Sequence, residues 1–273
     1  MEAKPIKLTN EEIATFKRDG YLIKRNVLDP ELMAQARDSL WEAAPENLKR
    51  DDPATWVGAF AEERWTWKYR DRGHEAWMVK LLATDPSVWG MAEQLLGAGN
   101  LEVPDRIRGI YCIFPEGDVP KRPMHCHVDR HPFHLGVVGY IDDVPPGGGG
   151  FTVWPGSHKT FFYDFETHYT YNAKEEQHIE HLKATCGDPE NSHYVDCHGQ
   201  AGDIVFWHHR IGHSAGHNRS QQIRQAVLYD FKRQNLVDTQ DEATPADMWR
   251  DWEGISAHYS RLQATPEKPL RFG

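Results

Sequence analysis

Residues 202–216 read GDIVFWHHRIGHSAG, an apolar run from Ile204 to Trp207 that enters a histidine-rich segment reaching His213. A short run rich in β-branched and aromatic side chains after Gly-Asp is the pattern of a buried strand rather than a helix. Similar runs separated by Gly, Pro and Asp recur from about residue 106 onward, at 106–114, 133–141, 150–154, 193–197, 202–207 and 223–232. Regularly spaced short strands with turn residues between them predict a sandwich or barrel.

Upstream the pattern changes. Thr9-Asn10-Glu11-Glu12 is a capping box that opens a short helix through about Arg18, and Asp19-Gly20 then turns the chain into a strand, Tyr21 to Arg25. Asp29 caps a longer helix in which Leu32, Met33, Ala36, Leu40 and Ala43 recur at three and four, so one face packs inward. Further helices are expected at about 74–83 and 86–97, the second closed by Gly97 and Gly99. Residues 1–105 are therefore expected to be mainly helical. The polar stretch Phe161 to Ser192 predicts a helix or lid inserted between strands, and a last helix is expected at 245–263, after Thr244-Pro245. The whole chain, 1–273, is expected to be one domain with a strand-rich core over about 106–235.

Thirty-one basic against forty-one acidic residues give a net charge of -10, which repels nucleic acid and anionic membrane surfaces. No nucleic-acid or membrane partner is expected. MEAKPIKLTNEE lacks the apolar core of a signal peptide, and no stretch approaches the ~20 apolar residues of a membrane span, so a cytoplasmic location is expected. Cys112, Cys126, Cys186 and Cys197 show no Cys-x-x-Cys spacing and are expected to be reduced thiols.

The 16 histidines are unevenly spread: His125, His127, His131 and His134 form one group, and His208, His209, His213 and His217 another. In an extended Met124–Asp129 segment, alternation puts His127 and Asp129 on one face with Cα atoms ~6.5–7 Å apart, close enough to ligate one ion. A third ligand from the distant strand, His213, would complete two histidines and a carboxylate on one face of a metal, the facial triad of non-haem iron oxygenases. Zinc usually prefers a tetrahedral site. Taken alone, a His-x-Asp pair often arises by chance, and a His-rich loop is more often solvated surface than a ligand set.

Their surroundings separate these readings. Gly202-Asp203-x-x-Phe206-x-His208, His213-Ser214-x-Gly216-x-Asn218-x-Ser220 and Arg224-x-Ala226 together resemble the distal half of the phytanoyl-CoA dioxygenase family, including the eleven residues from His213 to Arg224. Gly149-Gly150-Phe151-x-Val153-x-Pro155-Gly156-Ser157-His158-Lys159 looks like the family's turn after its first metal pair. Leu8-Thr9-x-Glu11-Glu12 through Phe16-Lys17-x-Asp19-Gly20-Tyr21 resembles its N-terminal helix and strand. The resemblance is weakest over 45–105 and 160–192.

The resemblance implies a double-stranded β-helix, a cupin-like jelly-roll that is mainly β with flanking helices, carrying its metal in the mouth. It implies that His127, Asp129 and His213 hold Fe(II). Arg224 would grip the remote carboxylate of 2-oxoglutarate, a role suited to a guanidinium that forms bidentate, charge-assisted pairs. With O2, such an enzyme would release succinate and CO2 while oxidising a small-molecule substrate, a hydroxylation in the simplest outcome. Many members carry Gly-Ser after the distal histidine, with a hydroxyl that assists the cosubstrate; this chain has Ser214-Ala215, which leaves Ser214 as the neighbouring hydroxyl. A strand position often occupied by Trp in the family is Val138 here. Halogenating relatives replace the carboxylate ligand with a small residue, so Asp129 points to hydroxylation or a related oxidation.

Other features carry less. Pro145–Gly150 lacks the Lys-Ser/Thr ending of a nucleotide loop and predicts a turn, as does Ser157-His158. His208 and His209 are expected beside the metal site or at the surface, and His125 and His131 could reach substrate. Arg106 and Arg108 share a strand face and either bind an anionic substrate group or are edge-strand charges. Two rivals from other classes, a zinc-dependent hydrolase and a catalytically silent jelly-roll binding module, leave the carboxylate clamp at Arg224 without a purpose.

Overall fold

The computed structural model describes residues 4–120, 122–187 and 192–264. In chain order the elements are α1 (Asn10–Asp19), β1 (Tyr21–Lys24), α2 (Pro30–Glu42), β2 (Thr66–Tyr69), α3 (Ala76–Leu82), α4 (Pro86–Leu96), β3 (Gly109–Ile113), β4 (Leu135–Tyr140), β5 (Phe151–Val153), α5 (His158–Phe161), α6 (Glu175–Cys186), β6 (Val195–Asp196), β7 (Ile204–His208), β8 (His213–Ala215), β9 (Arg224–Phe231), α7 (Leu236–Thr239) and α8 (Glu253–Ala264). No described helix is long and apolar enough to cross a membrane.

Local chemistry sets the boundaries of the first helices. Thr9 accepts from the Glu12 amide at 3.2 Å while Glu12 accepts from the Thr9 amide at 2.7 Å, a reciprocal cap. Gly20, at φ 80°, ends α1 and allows His158 to lie against the backbone where a side chain would otherwise stand. Asp29 caps α2 through the amides of Glu31 and Leu32, with Pro30 in the first turn, where its missing N–H has no intrahelical acceptor to lose.

The strands form two antiparallel sheets, six-stranded in the order β1-β7-β4-β9-β3-β2 and three-stranded in the order β6-β5-β8. This is the expected jelly-roll, mainly β with flanking helices. Two apolar clusters explain the layering. Phe133, Val138, Tyr140, Phe151, Val153, Val205 and Trp207 pack together between the sheets. A larger cluster joins the outer face of the six-stranded sheet, through residues such as Val137, Phe206 and Phe231, to helical residues including Phe16, Met33, Leu82, Leu95 and Ile255. The central strands β4, β7 and β9 are buried along their whole length, which is why their sequences read as continuous apolar runs instead of alternating.

Two expectations need correction. The stretch 1–105 also contains β2, which pairs antiparallel with β3 and closes one edge of the large sheet. The last helix is shorter than 245–263: a four-residue helix, α7, precedes a non-helical segment, and α8 begins only at Glu253. Met248, Trp249 and Trp252 imitate helical spacing, but Trp252 stacks on His208 and packs at 5.4 Å on Phe16, which fixes the segment by burial instead. Within 160–192, α6 supplies a helix as expected, and residues 188–191 lie outside the described residues. Pro145–Gly150 is a turn, with the Gly148 amide donating to the Pro145 carbonyl at 2.8 Å.

Gly136 on β4 sits opposite Trp207 on β7, and a Cβ there would collide with the indole ring. Gly136→Ala should therefore lower stability by about 1–3 kcal/mol, the usual cost of overpacking a filled core, seen as a lower thermal midpoint. An unchanged midpoint would show that Trp207 has room to move.

Candidate metal centre

A backbone bridge brings the distant halves of the site together. The His127 amide donates to the His213 carbonyl at 3.0 Å and the His213 amide to the His127 carbonyl at 2.9 Å, so the two residues face each other in register. Their rings lie 4.6 Å apart between centroids, and Asp129 Oδ2 is 3.5 Å from His213 Nε2. One ligand atom from each of His127, Asp129 and His213 falls within 4.8 Å of the others, spacing that a single ion could bridge.

The hydrogen bonds around the rings prepare them for a metal. His127 Nδ1 lies 3.1 Å from the His125 carbonyl, and His213 Nδ1 lies 3.1 Å from the Ile211 carbonyl. A carbonyl only accepts, so each Nδ1 carries the proton and each Nε2 presents its lone pair. Burial, with the neighbouring His213, pushes His127 down to about 4, which keeps it neutral near pH 7. Burial alone would raise the Asp129 carboxyl, but His213 and Arg108 outweigh it and hold the group below the usual range, as a carboxylate. Two imidazoles whose Nδ1 atoms are engaged by backbone carbonyls and one carboxylate fit a divalent iron.

Arg108 braces this carboxylate. Its Nε donates to Asp230 at 2.5 Å, and its Nη2 lies 3.4 Å from Asp129 and 2.6 Å from His131 Nε2, which is in turn 2.9 Å from Asp230. Arg108 precedes β3, which begins at Gly109, so it is neither a strand residue nor an edge charge; it is half-buried beside the triad.

Arg224 opens β9 opposite Ile113 of β3, and its side chain is buried, 4% exposed. Its Nε donates to the Gly149 carbonyl at 3.0 Å and its Nη1 to the Tyr111 carbonyl at 3.2 Å. No carboxylate forms an ion pair with it among the described residues. Burial pulls its guanidinium below the ordinary value, a sign of a cation held in low dielectric. A buried cation of this kind favours an anionic partner, and Arg224 lines the same cleft as His127, Asp129 and His213. Ser214 lies on the same wall, but its hydroxyl donates to the Ala215 carbonyl at 3.0 Å.

The cleft measures about 1470 Å³ and is lined by the triad, Arg224, His125, His131, Tyr111 and Leu228 among others. Phe151 and Trp207 form its apolar floor, their rings 5.3 and 5.9 Å from that of His213. Trp207 projects over Gly136, so the indole comes from β7 beside a β4 that carries Val138.

The other histidines go elsewhere. His208 and His209 do not join the metal cluster and are not exposed; both are buried with His134, His158, His168 and Tyr169. Among the described residues, His209 has neither ring nitrogen hydrogen-bonded, and no metal-ligating group forms from these histidines. The cysteines also differ from expectation. Cys126, one residue before His127, is disulfide-bonded to Cys186 at the end of α6, with Cα atoms 6.2 Å apart, while Cys112 and Cys197 are free and buried. The fold brings the end of α6 against the metal segment across 60 residues of sequence, a proximity invisible in Cys spacing.

The family model for phytanoyl-CoA dioxygenase matches residues 16–226. Among solved structures, the chain is similar to the non-haem α-ketoglutarate-dependent carbocyclase SnoK from nogalamycin biosynthesis, at 21% identity, covering 99% of this chain and 98% of that one, with a TM-score of 0.53. The epimerase SnoN in complex with Fe3+, α-ketoglutarate and nogalamycin RO matches at 24% identity over 89% of this chain and 93% of that one, with a TM-score of 0.52. EctD from S. alaskensis with 2-oxoglutarate and 5-hydroxyectoine matches at 19% identity over 86% and 78%, with a TM-score of 0.55. At these identities the likeness is one of fold. No curated protein sequence matches the chain.

Proposed function

Because the chain belongs to the phytanoyl-CoA dioxygenase family of iron- and 2-oxoglutarate-dependent oxygenases, we propose that it hydroxylates a small molecule, with His127, Asp129 and His213 holding Fe(II) and Arg224 holding 2-oxoglutarate. The observation that carries this reading is Arg224: a buried guanidinium without a carboxylate partner among the described residues, opening into the same cleft as the three ligand candidates. A hydrolase using zinc would gain nothing from such a clamp.

When bound, the iron supplies the activation of O2 that couples loss of CO2 from 2-oxoglutarate to oxidation of the substrate. The chain's own residues do the rest. The backbone bridge between His127 and His213 fixes the separation of two ligands, and the carbonyls of His125 and Ile211 fix their tautomers. Arg108, tied to Asp230, keeps Asp129 ionised and oriented. Arg224 orients the cosubstrate by its far carboxylate, and Phe151 and Trp207 keep one wall of the site apolar, which limits water near the reacting atoms.

Asp129→Ala should reduce succinate formation from 2-oxoglutarate at least a hundredfold, measured with iron-loaded protein under air. Full activity in that variant would remove Asp129 from the metal. Hydroxylation predicts that one atom of isotopically labelled O2 enters the product while the other enters succinate. A product of unchanged mass, as an epimerase would give, or one lighter by two hydrogens, as a cyclase would give, would replace hydroxylation with that outcome.

A further inference from the structure

One wall of the cleft, built from β2 and the segment before β3, is basic although the chain carries a net charge of -10. On β2, alternation puts Thr66 and Lys68 on the cleft side, and Arg70 continues that face just past the strand. Lys68 stands opposite Tyr111 of β3, and the Tyr111 ring carries both cations: Lys68 Nζ lies 5.1 Å and the Arg70 guanidinium 5.5 Å from its centroid. Arg70 also donates to the Tyr111 hydroxyl at 2.9 Å. Arg106 lines the same cleft two residues before the braced Arg108.

The balance of partners is uneven. Of the lining carboxylates, Glu116 is ion-paired with Arg122 and Arg219, and Asp230 with Arg108; Asp129 belongs to the ligand cluster. Glu63 alone is left without an ion pair among the described residues, whereas Lys68, Arg70 and Arg106 all lack a carboxylate partner there. Burial, then repulsion from Arg70 and Arg108, lowers Lys68 from its ordinary value, so these positive groups are held together against their own charge. Lys68, Arg70 and Arg106 line the same cleft as His127, Asp129 and His213. Arg224 lies two strands away, roughly 10 Å across the sheet. The basic wall and Arg224 thus stand on different strands of the large sheet.

We propose that Lys68, Arg70 and Arg106 bind the phosphate or carboxylate of an anionic small-molecule substrate, holding its reacting carbon toward His127, Asp129 and His213. This assignment of substrate class rests on the oxygenase reading of the triad. Convergent cations on an aromatic platform suit a compact oxyanion, and the strongly acidic remainder of the surface disfavours anions elsewhere.

The test uses the full chain, metal-free, with phenyl phosphate and phenylacetate as anionic probes and benzyl alcohol as the neutral one, each followed by isothermal titration. At least one anion should bind about tenfold or more tightly than benzyl alcohol, and which one does so identifies phosphate or carboxylate. That preference should disappear in the variant K68M/R70M/R106M and persist in Arg224→Met. Should the triple variant fail to fold by thermal melt, Arg106→Gln alone, whose side chain has no ion pair among the described residues, should weaken the anion about threefold or more. Equal binding of anions and alcohol by the wild type, an anion preference intact in K68M/R70M/R106M or, where that variant does not fold, in Arg106→Gln, or its loss in Arg224→Met overturns the proposal. Binding of 2-oxoglutarate to the iron-loaded wild type is measured alongside: its absence refutes the oxygenase reading while leaving the anion result to stand or fall by itself.

Discussion

Arg224→Met is expected to weaken 2-oxoglutarate binding about a hundredfold or more while leaving iron content unchanged. Removing one partner of a buried ion pair costs about 3–5 kcal/mol, because the other charge is left in low dielectric, and each 1.4 kcal/mol is tenfold in affinity. The stability of the free protein should respond far less. Arg224 is a buried cation whose hydrogen-bond partners among the described residues are the carbonyls of Gly149 and Tyr111, so methionine removes two neutral acceptors' hydrogen bonds and a desolvated charge together. Arg224→Lys should fall between the two, since an ammonium keeps the charge and loses the fork. Equilibrium dialysis of 2-oxoglutarate and a thermal melt give both readings. A large fall in midpoint with unchanged cosubstrate affinity would make Arg224 a structural residue.

The second large effect is acid sensitivity. Burial lowers His134 to about 3 and His158 and His168 to about 4, and holds His208 and His209 well below the ordinary value. Asp251 opposes the shift at His168 and His134 without overcoming it. In each case the folded pKa lies below the unfolded value near 6.5, so on acidification the unfolded chain takes up protons first. Stability from these groups is complete above about pH 6.5 and is lost as the pH falls toward 4. Each histidine held neutral loses about 1.4 kcal/mol for each unit below 6.5, so the five together rival the whole stability of an ordinary domain by pH 5.5. Urea midpoints of the metal-free protein at pH 7.5 and 5.5 should therefore differ sharply. Equal midpoints would mean that water reaches the His208–His209 cluster and solvates the imidazolium.

The strands were legible because the sandwich buries them: Ile204–His208 and Arg224–Phe231 are buried along their length, and burial writes itself into sequence as apolar runs. The ends of α1 and α2 were legible because caps are local chemistry. In contrast, β2 is four residues long, TWKY, and its alternation of Trp67 and Tyr69 toward the helical core with Thr66 and Lys68 toward the cleft was hidden inside a stretch whose neighbours form helices. Reading that alternation would have revealed the basic wall. The histidines of 208–209 misled because sequence spacing puts them beside His213, whereas Trp207 faces the cleft and His208, on the opposite face of β7, packs against Trp249 and Trp252. Contacts such as the His127–His213 bridge, Arg108 with Asp230 and Cys126 with Cys186 join residues 60 or more apart, and no local pattern encodes them.

The central claim is that His127, Asp129 and His213 hold one iron and that Arg224 adds the cosubstrate beside it. Its most direct test is an anaerobic measurement on one sample: iron by elemental analysis and labelled 2-oxoglutarate by equilibrium dialysis, for the wild type and for H127A/D129A/H213A. The account predicts one iron and one 2-oxoglutarate per wild-type chain, with cosubstrate affinity falling steeply when iron is withheld, and neither retained at that stoichiometry by the triple variant. Iron bound at full stoichiometry by that variant, or 2-oxoglutarate bound equally well with and without metal, would contradict it.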